Sequence, residues 1–200
     1  EAVGPDYPLM LDSVWAYEYE DALRVGKAIE ELDFLWYECP MLEQKPEQWE
    51  QYARLKSELN IPLLAGETLR GSGGIFERTE MLHMEACDAM RIDTEHSGIT
   101  ACLKMAAICE AWPIPLELHG DYYGNITVLA ATNERTCQYL EWWDLDPEQV
   151  TPSGFAKPET HLLQTPGQID EQGYFPVYDT PGLGYEIDWD FVYSNRIPIE

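Results

Sequence analysis

The sequence predicts an α/β fold of the barrel kind, and three observations predict it. Short β-rich runs alternate with amphipathic helical stretches six times, and a polar, chemistry-bearing side chain closes each run. Those closing residues recur every 22 to 29 positions, close to the roughly 30 residues of one βα unit in an eight-fold barrel. No glycine fingerprint of the dinucleotide type follows the first run, which disfavours an open, doubly wound sheet.

The elements follow in order. YPLMLDS is the first strand, and a helix over about 18–32 follows, with Ala22, Val25, Ile29 and Leu32 at helical spacing. DFLWYE is the second strand, and Pro46 suits the first turn of a helix over 46–59. IPLLAGE is the third, leading through the Gly71, Gly73 and Gly74 loop to a helix over 75–84. That loop lacks the Lys and Ser of a phosphate loop and reads as a flexible connection. DAMRID precedes a helix over 99–112, IPLELHG precedes a shorter helix around 126–132, and CQYLEWW is the sixth strand. Strands joined by single helices are parallel crossovers with helices packed on the sheet. After about Pro147 the chain turns rich in Pro and Gly, so 1–147 is expected to form a partial barrel and 148–200 a tail packed on the barrel or a capping domain.

Composition narrows the classes. With 45% hydrophobic residues, twelve Tyr and seven Trp, the chain can bury a substantial core. It contains no run of eighteen apolar residues, so no transmembrane helix is expected. Twelve basic against thirty-seven acidic residues give a net charge of −25, which argues against nucleic acid and anionic membranes as partners. One reading of the acid excess is a salt-adapted surface. On that reading the melting temperature rises across a KCl series as repulsion is screened, and a flat response removes it. Cys39, Cys87, Cys102, Cys109 and Cys137 are odd in number, with no CxxC pair, and read as buried free thiols of a cytoplasmic protein. Glu1 leads straight into a strand, so the chain is expected to continue a domain begun upstream.

Asp12, Glu38 and Glu67 close three consecutive strands. Singly, each would read as a helix cap or a solvated carboxylate. Together they are three hard oxygen ligands without His or Cys, a set suited to Mg²⁺, with Mn²⁺ as the alternative, rather than to zinc. Asp93 and His119 close the next two, where a carboxylate can orient an imidazole and raise its basicity. Glu141 follows among aromatics, where desolvation favours a neutral, hydrogen-bond-donating acid. His96 reads as a solvated loop histidine, His83 and His161 have no evident partner, and Trp142 and Trp143 read as packing residues.

The ordered strings LDSVWAY, YECP, LLAGET, MRIDTEHSGIT, LELHG, YLEWWD and PGLGYEIDWD resemble the barrel of the mandelate racemase subgroup of the enolase superfamily, over nearly the whole chain. The resemblance implies a (β/α)8 barrel, represented by strands three to eight and a C-terminal tail. The capping domain and first two strands, the second usually carrying a Lys base, would lie outside this sequence. It implies Asp12, Glu38 and Glu67 as Mg²⁺ ligands, Asp93 and His119 as the catalytic dyad, and Glu141 as the acid that hydrogen-bonds an enediolate. The implied activity is proton abstraction beside a small-molecule carboxylate, chiefly dehydration of a sugar acid to a 2-keto-3-deoxy acid. Racemisation or epimerisation of a 2-hydroxy acid is the second outcome, and a catalytically silent structural relative the third. Homo-oligomerisation, and pairing with the remainder of its own chain or a complementing fragment, are also implied. HSGIT stands where relatives commonly carry a double glycine.

Overall fold

The structure, a computed structural model, describes residues 4, 6–69, 74–120, 123–142, 163, 169–177, 179–184 and 186–197. Five strands, β1 (Met10–Asp12), β2 (Trp36–Glu38), β3 (Leu63–Ala65), β4 (Ala89–Ile92) and β5 (Leu116–Leu118), form one parallel sheet in chain order. Between them lie α1 (Tyr19–Glu30), α2 (Pro46–Glu58), α3 (Ile75–His83), α4 (Thr94–Ser97), α5 (Ile99–Ala111) and, after β5, α6 (Tyr123–Ala131). Sequential order without a switch point is the order of a barrel wall, whereas a doubly wound sheet reverses direction part-way. The sheet is a half-barrel.

Alternation along the strands sorts the two faces. Tyr37, Leu63, Ala65, Met90, Ile92, Leu116 and Leu118 join Tyr52, Leu55, Met81, Met105 and Cys109 of the helices in the main core. Met10, Trp36, Leu64 and Ala89 form a small separate cluster on the other face. Glu38, Arg91 and Glu117 share that second face by parity, and all three are buried. Each helix is held chiefly by this packing. Leu55, for example, is wholly buried in α2, and truncation to Ala there would cost about 2–5 kcal/mol.

The strands and helices lie where the pattern predicted, with three differences. CQYLEWW does not form a ladder: among the described residues it contributes one parallel bridge, Leu140 with Leu118. The buried carboxylate of Glu117 takes the Tyr139 N–H at 3.0 Å, a group a continuous strand would spend on its neighbour. Second, α6 spans Tyr123–Ala131 rather than starting near Ile126, and its Gly124 packs where a Cβ would stand 2.5 Å from Thr94 Oγ1. Third, the one-turn α4 after β4 carries no apolar period, and the Asp93 side chain caps it by accepting from His96 N–H.

All five cysteines are buried and unpaired, as expected. His83 packs edge-on against Trp112 with ring centroids 5.1 Å apart. Among the described residues no helix is long and apolar enough to cross a membrane. The chain divides into two compact units, Glu1–Glu141 and Trp142–Glu200. In the second, α7 (Trp189–Ser194) is capped by Asp188, and Trp142 lies 4.6 Å from the Phe175 ring. Trp143, His161 and the glycines at 71 and 73 fall outside the described residues.

Burial on the inner face has a measurable consequence. Desolvation pushes the Glu117 carboxyl up to about 7, against the hydrogen bonds from Tyr139 and Gln138 and the field of Arg91. A raised carboxylate stabilises the fold only while protonated. Its contribution is therefore complete below about pH 4.5 and lost as pH rises through 7. Wild type should lose roughly 2–3 kcal/mol relative to Glu117→Gln between pH 4.5 and 8. Denaturant melts of the two across that range check it, and parallel curves would refute it.

Candidate metal centre and acid–base dyad

Parallel pairing sets the site. Asp12 is registered with Glu38 and Glu38 with Leu64, so consecutive strands end level and their closing residues meet at one rim. Glu67 follows β3 through Gly66, whose φ of +106° suits glycine and where a Cβ would come 2.5 Å from Met90 Sδ. Backbone bonds tie the rim loops together: Trp15 N–H donates to Cys39 O at 2.8 Å and Tyr17 N–H to Pro40 O at 3.0 Å. Val14 and Trp15 both adopt left-handed backbone there, at φ 47° and 58°. Such strain costs about 1–3 kcal/mol per residue and persists only where surroundings enforce it.

The six residues singled out from sequence are brought together unequally. Donor atoms of Glu38, Cys39 and Glu67 lie within 4.8 Å of one another. Asp12 is not in that group; it is exposed, and its Oδ1 accepts from Val14 N–H at 2.9 Å. Its carboxylate is near enough to raise both Glu38 and Glu67. Burial pushes Glu38 up to about 7, with Asp12, Glu141 and Glu67 adding to it and Arg91 opposing. Burial likewise raises Glu67, opposed mainly by His119. Burial also drives the Cys39 thiol well up, so it stays a neutral neighbour rather than a thiolate ligand.

His119 stands between two carboxylates, with Nε2 3.1 Å from Glu67 Oε1 and Nδ1 3.4 Å from Asp93 Oδ2. Burial disfavours its charged form, but Asp93, Glu67 and Glu141 outweigh that and raise it. Asp93 is held down at about 2: burial opposes this, and hydrogen bonds from His119 and His96 overcome it. His96 is thus not the solvated loop residue its sequence position suggested. Its N–H donates to Asp93 Oδ1 at 2.7 Å and its Nδ1 lies 3.0 and 2.9 Å from the two carboxylate oxygens.

Glu141 is held at the rim through one carboxyl oxygen. Its Oε2 accepts from Arg91 Nη2 at 2.5 Å and from Gly120 N–H at 2.8 Å. Arg91 is the residue sequence reasoning missed. Its guanidinium is buried, pairs through Nε with Glu38 Oε1 at 2.6 Å, and so bridges Glu38 and Glu141. The signal was present, since Arg91 lies two residues before Asp93 and therefore on the same face.

Asn125 was also missed. Fully buried, it donates through Nδ2 to the carbonyls of His119 (2.7 Å) and Gly120 (2.9 Å), and its Oδ1 accepts from Thr94 N–H and Oγ1. It staples the loop after Asp93 to the one carrying His119. Asn125→Leu should cost about 3 kcal/mol or more, because several buried backbone groups lose their partner at about 1–3 kcal/mol each. A loss under 1 kcal/mol in urea melts would contradict that account.

At this rim Asp12, Glu38, Glu67, Asp93 and Glu141 face the cationic groups Arg91 and His119, which are already engaged. A carboxylate cluster with that surplus fits a hard dication, with Glu38 and Glu67 as the converging carboxylates able to hold it and Asp12 beside them.

The family model for enolase C-terminal domain-like proteins matches residues 1–191. The chain belongs to that family. A solved D-glucarate dehydratase from Agrobacterium tumefaciens, complexed with magnesium, matches this enolase-type domain at 34% identity and a TM-score of 0.78, over 98% of this chain and 49% of that one. A mandelate racemase/muconate lactonizing enzyme-like protein from Rubrobacter xylanophilus shares the fold at 23% identity and a TM-score of 0.76, over 98% of this chain and 47% of that one. Among curated relatives, D-galactonate dehydratase of Cronobacter sakazakii is 31% identical over 98% of this chain and 50% of its own length. D-galactarolactone cycloisomerase of Agrobacterium fabrum is 28% identical over 99% and 51%. The enolase-type domain spans about half the length of the curated relatives it matches.

Proposed function

We propose that this half-barrel carries the metal ligands and the acid–base dyad of a Mg²⁺-dependent sugar-acid dehydratase. The observation that carries the reading is His119, wedged between Asp93 and the carboxylate cluster, with both ring nitrogens committed to acids. Relatives named as D-galactonate and D-glucarate dehydratases support the substrate class. When bound by Asp12, Glu38 and Glu67, Mg²⁺ supplies a Lewis acid for charge developing on the substrate carboxylate. Asp93 fixes the His119 ring through Nδ1 and favours its protonated form, so Nε2 can hand a proton to a departing β-hydroxyl. Glu141, aligned by Arg91 and Gly120, presents its carboxyl group at the same rim and orients the substrate by hydrogen bonding.

The test is incubation of the full chain with Mg²⁺ and a panel of aldonates and aldarates in D₂O, scoring 2-keto-3-deoxy product and α-deuterium incorporation. A 2-keto product from at least one acid is expected. Deuterium exchange without keto product would replace dehydration with racemisation or epimerisation, and neither signal would overturn the enzymatic reading.

A further inference from the structure

One buried carboxylate at the rim has no part in the chemistry above. Glu43, between β2 and α2, is 0% exposed. Its Oε2 accepts from Gly66 N–H at 2.7 Å, and its Oε1 accepts from Thr68 N–H at 2.7 Å and Thr68 Oγ1 at 3.1 Å. The Cys39 thiol lies 3.9 Å from Oε2. Gly66 and Thr68 flank Glu67, and Cys39 follows Glu38, so one side chain touches the neighbours of both carboxylates in the cluster.

Glu43 is itself anchored. Trp49 Nε1 donates to its carbonyl at 2.6 Å, and the Tyr52 hydroxyl donates to Met41 O at 2.5 Å and accepts from Met41 N–H at 3.2 Å, which fastens the segment to α2. A buried carboxylate is costly unless donors satisfy it. Here each neighbour named is a donor, and the two backbone donors belong to the residues on either side of Glu67. Gripping both sides of one residue fixes the direction of its side chain.

We infer that Glu43 is a positioning residue for the cation site, holding the peptides around Glu67 and the residue after Glu38 so that the two carboxylates converge. The inference rests on the reading of Glu38 and Glu67 as metal ligands. Groups that orient metal ligands typically contribute 10–100-fold to affinity. Glu43→Gln keeps the shape but turns one acceptor into a donor, and whichever way the amide is placed its NH₂ opposes a backbone N–H. Thr68→Val removes one donor and leaves the carboxylate.

The experiment is Mn²⁺ binding by electron paramagnetic resonance in the full chain, for wild type, Glu43→Gln and Thr68→Val, alongside thermal unfolding without metal. Glu43→Gln should weaken Mn²⁺ binding about 10–100-fold, and Thr68→Val about fivefold, the equivalent of one hydrogen bond. A merely structural Glu43 would lower the metal-free melting temperature and leave the affinity of the folded protein unchanged. Both variants folded and binding within twofold of wild type would overturn the inference while leaving the metal reading intact. If Glu43→Gln does not fold, Thr68→Val decides alone, and unchanged affinity overturns it. Wild type that fails to bind Mn²⁺ would overturn the metal reading and this inference with it.

Discussion

Glu67→Gln should weaken Mg²⁺ binding more than about 100-fold and reduce turnover to background, because loss of a ligand exceeds the 10–100-fold typical of the groups that merely orient one. Glu67 is the best of the three carboxylates for this test. Glu38 is locked in a buried ion pair with Arg91, so its removal would take away one partner of a buried guanidinium and confound folding with binding. Asp12 holds its own loop through Val14 N–H. Glu67 meets His119 Nε2 at 3.1 Å, a contact the amide oxygen of Gln can still accept. The fold should therefore survive while the ligand charge is lost. Isothermal titration with Mg²⁺ is the measurement, and an affinity within threefold of wild type would remove Glu67 from the ligand set.

His119→Asn should lower kcat by about 100- to 10,000-fold, the usual span for a positioned acid or base, while changing Mg²⁺ affinity far less than Glu67→Gln does. The contrast follows from geometry. His119 touches the cluster through Glu67 but supplies no oxygen to it, and its Nδ1 faces Asp93. Asn keeps a donor near that carboxylate and removes the titratable ring. A kcat within tenfold of wild type on whichever acid is turned over would show that His119 is not the proton donor.

Most of the half-barrel was legible because its signals are local. The short apolar, β-rich runs around Trp36–Glu38 and Ala89–Ile92 and the helical spacing of Ala22, Val25 and Ile29 are properties of neighbouring residues, and the 22- to 29-residue recurrence adds the parallel connection. The sixth run pairs where a sixth strand belongs, through the parallel Leu140–Leu118 bridge, but Glu117 on another strand takes the Tyr139 N–H, so its described residues carry a bridge rather than a ladder. His96 looked solvated because its partner's direction depends on the cap that Asp93 makes to α4.

The sequence alone pointed to six strand ends closed by Asp12, Glu38, Glu67, Asp93, His119 and Glu141, since near-equal spacing along parallel βα units becomes proximity at one rim. Only tertiary structure decided how those groups are held. Arg91 bridges Glu38 and Glu141, Asn125 staples the dyad loops, and Glu43 grips the residues flanking Glu67, each across 5 or more positions of sequence. Such contacts carry no period, because a buried polar side chain is placed by whichever distant backbone groups it must satisfy.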